Sequence, residues 1–298
     1  MPLPFFAVIA YLTERTRIID ETLDRLLPPA TTSPVTLHEA MRYSLFAGGK
    51  RLRPALCLAA SEACGGSVEA ALPMAAAVEC LHTYTLIHDD LPCMDDDDFR
   101  RGRPTCHKVY GEGVAVLAGD GLLTLAFEIL AGARPTARHG TADFVRELAV
   151  ASGSRHLIGG QVMDLEGEGR PTTAEQLKFI HESKTAALLT ASLRLGALAG
   201  NATVEQLEAV GRFGYALGLA FQVIDDILDV TQSSEKLGKS AGKDAAAQKA
   251  TYPALFGLET SRAEAARLTR EALDSLQIFR GADARLGDIA RYLLDREY

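Results

Sequence analysis

A chain of 298 residues with a net charge of -8 and a pI near 5.4 lacks the basic footprint of a nucleic-acid binder. With 47% hydrophobic residues, 6% aromatic and no Trp, the composition favours helices over sheets, which prefer β-branched and aromatic side chains. The length allows two domains but also one large helical domain, and the expectation is a single domain over 1–298 with a sizeable core.

The opening "MPLPFFAVIAYLTERTRIID" has no basic n-region, and its apolar run is shorter than the roughly 20 residues a membrane span needs. It is expected to form the first core helix of an unexported, cytoplasmic protein without a membrane span. Apolar residues then recur at helical spacing in "LHEAMRYSLFAG", "LPMAAAVECLHTYTLIHDD", "GDGLLTLAFEILAGA", "EQLKFIHESKTAALLTASLRLGALAG" and "VEQLEAVGRFGYALGLAFQVIDDILDV". Breaks fall at 28–36, 132–140, 167–174 and 231–253, where Pro, Gly, Ser and Thr gather. No segment alternates with period two and no fixed repeat appears, so the chain reads as all-α. The five cysteines, Cys57, Cys64, Cys80, Cys93 and Cys106, form no CxxC pair, which indicates reduced thiols rather than a zinc site or disulfide framework.

Two acidic clusters carry the chemistry. Six aspartates crowd into 89–98, at the end of an apolar helix, and arginines stand at 100, 101 and 103. Carboxylates this dense repel unless a cation neutralises them, and the arginines suggest an anion bridged by metal. Asp89 and Asp95 are out of phase on a straight helix, but Pro92 between them should bulge the turn and return Asp95 to the face of Asp89. A calcium loop is excluded, because no register places Gly sixth and Glu twelfth. The second cluster, "FQVIDDILDV", sets Asp225 and Asp229 one helical turn apart, as suits carboxylates sharing a divalent ion. Both clusters end core-facing helices, so the two rims can oppose each other across a cavity.

Basic residues accompany them. "GGKRLRP" offers Lys50, Arg51 and Arg53 on flexible backbone, with Pro54 placed to begin the next helix. Arg100, Arg101, Arg103, Lys184, Lys239, Lys243 and Lys249 extend the positive set. Carboxylate rims with cationic donors describe a diphosphate enzyme.

At this point the sequence resembles the trans-isoprenyl diphosphate synthases, and within them the bacterial farnesyl diphosphate synthases. The similarity rests on "FAGGKRLRP", "ECLHTYTLIHDDLPCMDDDDFRRGRPTCHK", "GGQVMDLEGEG", "HESKTAALL", "AFQVIDDILDVTQSSEKLGKSAGKDAAAQKATYP" and "YLLDREY", in the family's order. The resemblance implies a bundle of ten or more helices around a deep central cavity, a homodimer, and three Mg²⁺ ions, with Mn²⁺ as a substitute, held by Asp89, Asp90, Asp95, Asp225, Asp226 and Asp229. It further implies that Arg100, Lys184, Thr185, Gln222, Lys239 and Lys249 contact an allylic diphosphate. Lys50, Arg53, His82 and Arg101 would hold isopentenyl diphosphate, and Gln161 and Asp164 would support the metal site. His88, beside Asp89, is taken as structural.

The chemistry accounts for such residues. Ionising an allylic C–O bond requires stabilisation of charge developing on the diphosphate, and the carbocation requires an apolar pocket that excludes water. No side-chain nucleophile is needed. Product length should depend on the cavity floor: Tyr84 lies five residues before Asp89, about 7 Å deeper at 1.5 Å per residue, while Thr85 is too small to block. That aromatic, with the Pro92–Cys93 insertion, resembles the farnesyl type, so a C15 product is expected. A geranylgeranyl (C20) synthase shares the motifs and is the close alternative. A class I terpene cyclase would not need "GGKRLRP" and His82, and a non-catalytic partner subunit would not keep both aspartate motifs intact.

Overall fold

In the computed structural model, residues 5–167, 169–231, 251–282 and 284–294 are described. Helix α1 (Phe5–Leu26) turns Ile19 and Leu23 inward at 1% and 0% exposure, and it is a core helix as expected. After α2 (Val35–Leu45) comes α3 (Leu52–Ala63), which carries Pro54 in its first turn, where a missing N–H breaks no helical bond. Helix α4 (Val68–Asp89) starts at Ser67, whose hydroxyl accepts from the Ala70 N–H at 3.2 Å. Most of α4 is buried on all sides, which is why its sequence is apolar nearly all round.

Beyond α4 a minimal hairpin forms from β1 (Phe99–Arg100) and β2 (Arg103–Pro104). Its central residues, Arg101 at φ 53° and Gly102 at φ 74°, both take the left-handed conformation that a tight two-residue hairpin turn requires. The turn returns Arg100 toward the end of α4. These two short strands are the only β-structure among the described residues.

The chain continues through α5 (Cys106–Tyr110), α6 (Glu112–Ala131), α7 (Thr141–Ser152), α8 (Leu157–Gly167) and α9 (Ala174–Ile180). A π-helical turn, His181–Ala186, then leads into α10 (Ala187–Ala199). Helix α11 (Val204–Thr231), α12 (Tyr252–Phe256), α13 (Leu258–Ser275), a 3₁₀ turn (Gln277–Phe279) and α14 (Ala284–Leu294) complete the fold. The all-α class and more than ten helices agree with the sequence reading.

One core cluster gathers side chains of α1, α2, α4, α6 and α7, and a second gathers those of α10, α11, α13 and α14. Helix α3 supplies both, with Cys57 and Leu58 in the first and Leu56 and Ala59 in the second. Gly218 lets α11 press on the π-turn, since a Cβ there would lie 2.6 Å from Ala186 Cα. Helices α4 and α6 are long and apolar enough to cross a membrane by length and composition. Both nevertheless contribute side chains to the first core cluster, and α4 buries a charged Glu79.

Candidate active site

A cavity of about 400 Å³ opens between α4, α8, the π-turn and α10. Asp89, Lys184 and Thr185 line it together with Arg53, His82 and Tyr84, and apolar Met94, Leu157, Val162, Leu165 and Leu188 complete its wall. This is the combination of a polar end and a water-excluding apolar interior that a prenyl chain with a diphosphate head needs.

The end of α4 builds the first rim. After Asp89 the backbone folds back, so that the Asp95 N–H donates to the Asp89 carbonyl at 2.8 Å and the Asp96 N–H to Leu91 at 3.1 Å. The bulge anticipated around Pro92 therefore exists. Burial, assisted by the nearby Asp95 carboxylate and opposed by Lys184, pushes the Asp89 carboxyl up to about 6. A dication bound there would reverse that destabilisation.

Asp90 faces elsewhere. It is 3% exposed and receives both carboxylate contacts of the Arg100 Nε, at 2.7 and 2.9 Å, with Arg100 Nη2 at 2.5 Å from Oδ1. Arg100, expected on an allylic diphosphate, spends its fork on Asp90 in this arrangement.

The second rim lies on α11. Asp226 is clamped by the Gln222 amide at 3.1 Å and the Tyr252 backbone N–H at 2.8 Å, with His181 Nε2 at 3.4 Å. His181 is held neutral by burial, its pKa down to about 4. Gln222 in turn accepts from the Thr185 hydroxyl at 2.9 Å. Asp225 and Asp229 stand one turn apart on the same helix, Asp229 at 6% exposed. Lys184 donates to Asp164 at 2.7 Å. The π-turn thus links the two rims, with Lys184 acting electrostatically on Asp89 and Thr185 bonded into the Asp226 network. A π-turn inserts one residue per turn and re-aims the side chains it carries, and the uninterrupted apolar spacing of "EQLKFIHESKTAALL" gave no sign of it.

A second, more open cavity of about 630 Å³ is lined by Gly48, Gly49, Lys50, Arg53, His82 and Arg101. Arg53 is the informative residue. Its Nη1 meets His82 Nε2 at 3.4 Å and its buried Nε has no partner. Burial and the neighbouring Arg101 push its pKa down, while Glu79 opposes them. His82 is driven well below its usual value by burial and by Arg53 and Arg101. Two arginines therefore crowd this pocket, with Glu79 and, more weakly, Asp90 to offset them, an arrangement that suits an anion. Arg51, grouped in the sequence with these donors, also lines that cavity, but its guanidinium is taken up by Glu79 at 2.6 Å, Asp20 at 2.8 Å and the Leu45 carbonyl at 2.6 Å. Glu79, missed in the sequence, is 2% exposed and braces the loop from beneath.

Divalent metal is tested by the donors themselves. Among the described residues no three His, Cys, Asp or Glu side chains converge on one point. The fit is therefore to ions completed by substrate oxygens and water, which suits Mg²⁺. Asp89 and Asp95 on one rim and Asp225 and Asp229 on the other could serve as ligands. Asp90 and Asp226, expected among the ligands, are occupied by protein donors. Gln161 lines the cavity with a buried, unpartnered Nε2. Lys239, Lys243 and Lys249 lie outside the described residues.

Comparison with known proteins gives a consistent picture. Residues 34–278 match the family model described as "Polyprenyl synthetase". The chain is 53% identical over 274 residues to a chloroplastic geranylgeranyl pyrophosphate synthase of Capsicum annuum, covering 90% of this chain and 73% of that protein. It is 45% identical over 296 residues to the geranylgeranyl diphosphate synthase of Cyanophora paradoxa, covering 98% and 97%. The crystal structure of an FPP/GFPP synthase from Zymomonas mobilis superposes with a TM-score of 0.85 at 35% identity, covering 98% of this chain and 100% of that one. A geranylgeranyl pyrophosphate synthetase from Pyrococcus horikoshii gives 0.89 at 31% identity, covering 98% and 99%. With the fold, the aspartate rims and these relatives in agreement, the chain belongs to the polyprenyl synthetases, the trans-isoprenyl diphosphate synthase family.

Proposed function

We propose that this prenyltransferase is a Mg²⁺-dependent synthase that joins isopentenyl diphosphate to allylic diphosphates and releases geranylgeranyl diphosphate. The observation that carries the reaction is the pairing of a buried, electrostatically strained Asp89 rim with the Arg53–Arg101 pair and neutral His82 beside one apolar cavity. Two anionic head groups fit two such environments.

Bound Mg²⁺ would supply the Lewis acidity that stabilises negative charge on the departing diphosphate. Asp89 and Asp95, with Asp225 and Asp229 opposite, would hold it. Lys184 and Thr185, aimed by the π-turn, would bind allylic diphosphate oxygens, with Gln222 orienting Thr185. Arg53, Lys50 and Arg101 would bind the diphosphate of the second substrate, with neutral His82 as a hydrogen-bonding neighbour. The apolar wall formed by Leu157, Val162, Leu165 and Leu188 keeps water from the allylic cation. The double bond then attacks C1, the new C–C bond forms, and a proton leaves to the released diphosphate.

The C20 product replaces the farnesyl product expected from Tyr84. Relatives named for geranylgeranyl diphosphate, at 45% and 53% identity, support it. Tyr84 does line the cavity, which keeps C15 as the second reading. On α4, Thr85 and Asp89 are one turn apart, as are Tyr84 and His88, so the aromatic pair forms a flank beside the Thr85–Asp89 line. A flank narrows a chain tunnel without sealing its axis.

A homodimer completes the proposal: Val116 and Leu117 of α6 are 37% and 59% exposed and offer an apolar face. Five free cysteines support a reducing, cytoplasmic setting. Chromatography of products after incubation with Mg²⁺, isopentenyl diphosphate and dimethylallyl diphosphate tests the function. A dominant C20 product is expected, a dominant C15 product overturns the length assignment, and no condensation product overturns the reaction. Light scattering tests the dimer.

A further inference from the structure

His88 stands next to Asp89 at the end of α4, yet its partners lie on another helix. Its ring leaves the aspartate rim and enters a notch on α6. There Nε2 donates to the Val116 carbonyl at 3.0 Å and stands 3.9 Å from Asp120 Oδ1. The notch exists because residue 119 is glycine: a Cβ at Gly119 would lie 2.2 Å from His88 Nε2 and 2.5 Å from Cδ2. Carbon atoms do not approach that closely, so any larger residue must displace the imidazole.

The other side of the same ring meets Tyr84. The two rings are edge-to-face, with centroids 4.9 Å apart and planes at 80°, an arrangement that holds an aromatic pair in a defined orientation. Tyr84 is 9% exposed and lines the cavity beside His88. Burial, with the Asp89 and Asp120 carboxylates, pushes the phenol pKa up, so the hydroxyl stays neutral in that corner. The contacts run in one line from α6 through His88 to Tyr84.

We infer that His88, seated in the Gly119 notch, is a specificity-determining wedge that fixes how far the Tyr84 ring intrudes into the prenyl cavity, and so sets product length. The inference rests on the prenyltransferase reading and assigns a positioning role; His88 need not touch substrate. If the notch is deepened by removing the imidazole, Tyr84 can rotate toward α6 and the cavity lengthens. If the notch is filled, the imidazole is driven toward Tyr84 and the cavity shortens.

The test is the product ratio under saturating substrates and Mg²⁺, measured beside the melting temperature of each variant. His88→Ala should shift the ratio of longer to shorter products upward by about fivefold, equivalent to about 1 kcal/mol, the scale of one aromatic edge contact. Gly119→Ala should shift it the other way. In a Tyr84→Ala background His88→Ala should add nothing, because the wedge acts through Tyr84, and His88→Phe, which keeps a ring against Tyr84, should restore most of the original ratio. A His88→Ala enzyme that folds and turns over with an unchanged ratio overturns the wedge while leaving the reaction intact, as does a full additive shift in the double variant. A wild-type protein that forms no condensation product overturns the underlying reaction, and the wedge with it. Should Gly119→Ala fail to fold, the His88 and Tyr84 variants decide alone.

Discussion

The two aspartate-bearing helix ends look alike in sequence but are secured differently. At the end of α4, Asp90 is held by a charged partner from a hairpin ten residues away, Arg100. On α11, Asp226 is held by neutral donors, a side-chain amide one turn back and a backbone N–H from α12, with a neutral histidine from the π-turn 3.4 Å away. In each motif the second aspartate anchors the helix end. The first, with the aspartate further along, is the pair proposed above as metal ligands. The anchor is thus common to both motifs, and its partner differs between the ends.

That contrast can be broken most severely by removing the divalent cation proposed to bridge both ends. Chelation should reduce turnover by at least about a thousandfold, since a metal supplies several kcal/mol of charge stabilisation in such a step; a chelator-insensitive rate measured by product release would refute the shared-ion assignment. Next in size is Arg100→Leu, which leaves Asp90 buried without its partner. Discounted for the partial exposure of Arg100, the cost should be about 2 kcal/mol of stability by denaturant titration. Gln222→Leu at the other end removes neutral hydrogen bonds and should cost about 1 kcal/mol. Equal costs would show that charge makes no difference to anchoring.

The smallest effect is a pH dependence particular to the first rim. Burial raises the folded Asp89 carboxyl to about 6, from 3.8 for an ordinary aspartate. Between those values the folded apo protein takes up a proton that the unfolded chain does not, so its stability falls as pH rises through that window. Metal requires the ionised form, so Mg²⁺ affinity should weaken below about pH 6, and binding near that pH should release protons. Calorimetry in buffers of different ionisation enthalpy measures the release. No proton release at pH 6 would remove Asp89 from the ligand set.

Most helices were legible because their apolar spacing is strong and their ends carry Pro, Gly and polar caps. The break at 132–140, for instance, separates α6, ending at Ala131, from α7, beginning at Thr141. The Pro92 bulge was legible because proline restricts backbone locally. Arg51, one of the loop's basic donors in the sequence, is instead bound in a buried ion network. Its partners Asp20 and Glu79 lie 31 and 28 residues away, and no local pattern tells a phosphate-binding arginine from one locked in a buried ion network. Tyr84 was legible as a cavity residue, but its support by His88 depends on a notch in another helix.

The sequence by itself determined an all-helical chain, the positions of two carboxylate-rich helix ends, and a chemistry of diphosphates and divalent cations. Those properties follow from periodicity, composition and residue type, which act over a few turns. Only the tertiary structure decided which aspartates anchor the helix ends, where the π-turn aims Lys184 and Thr185, and how α6 reaches the cavity wall through His88. Each of these depends on distances between residues far apart in the chain, which are set by the packing of helices against one another.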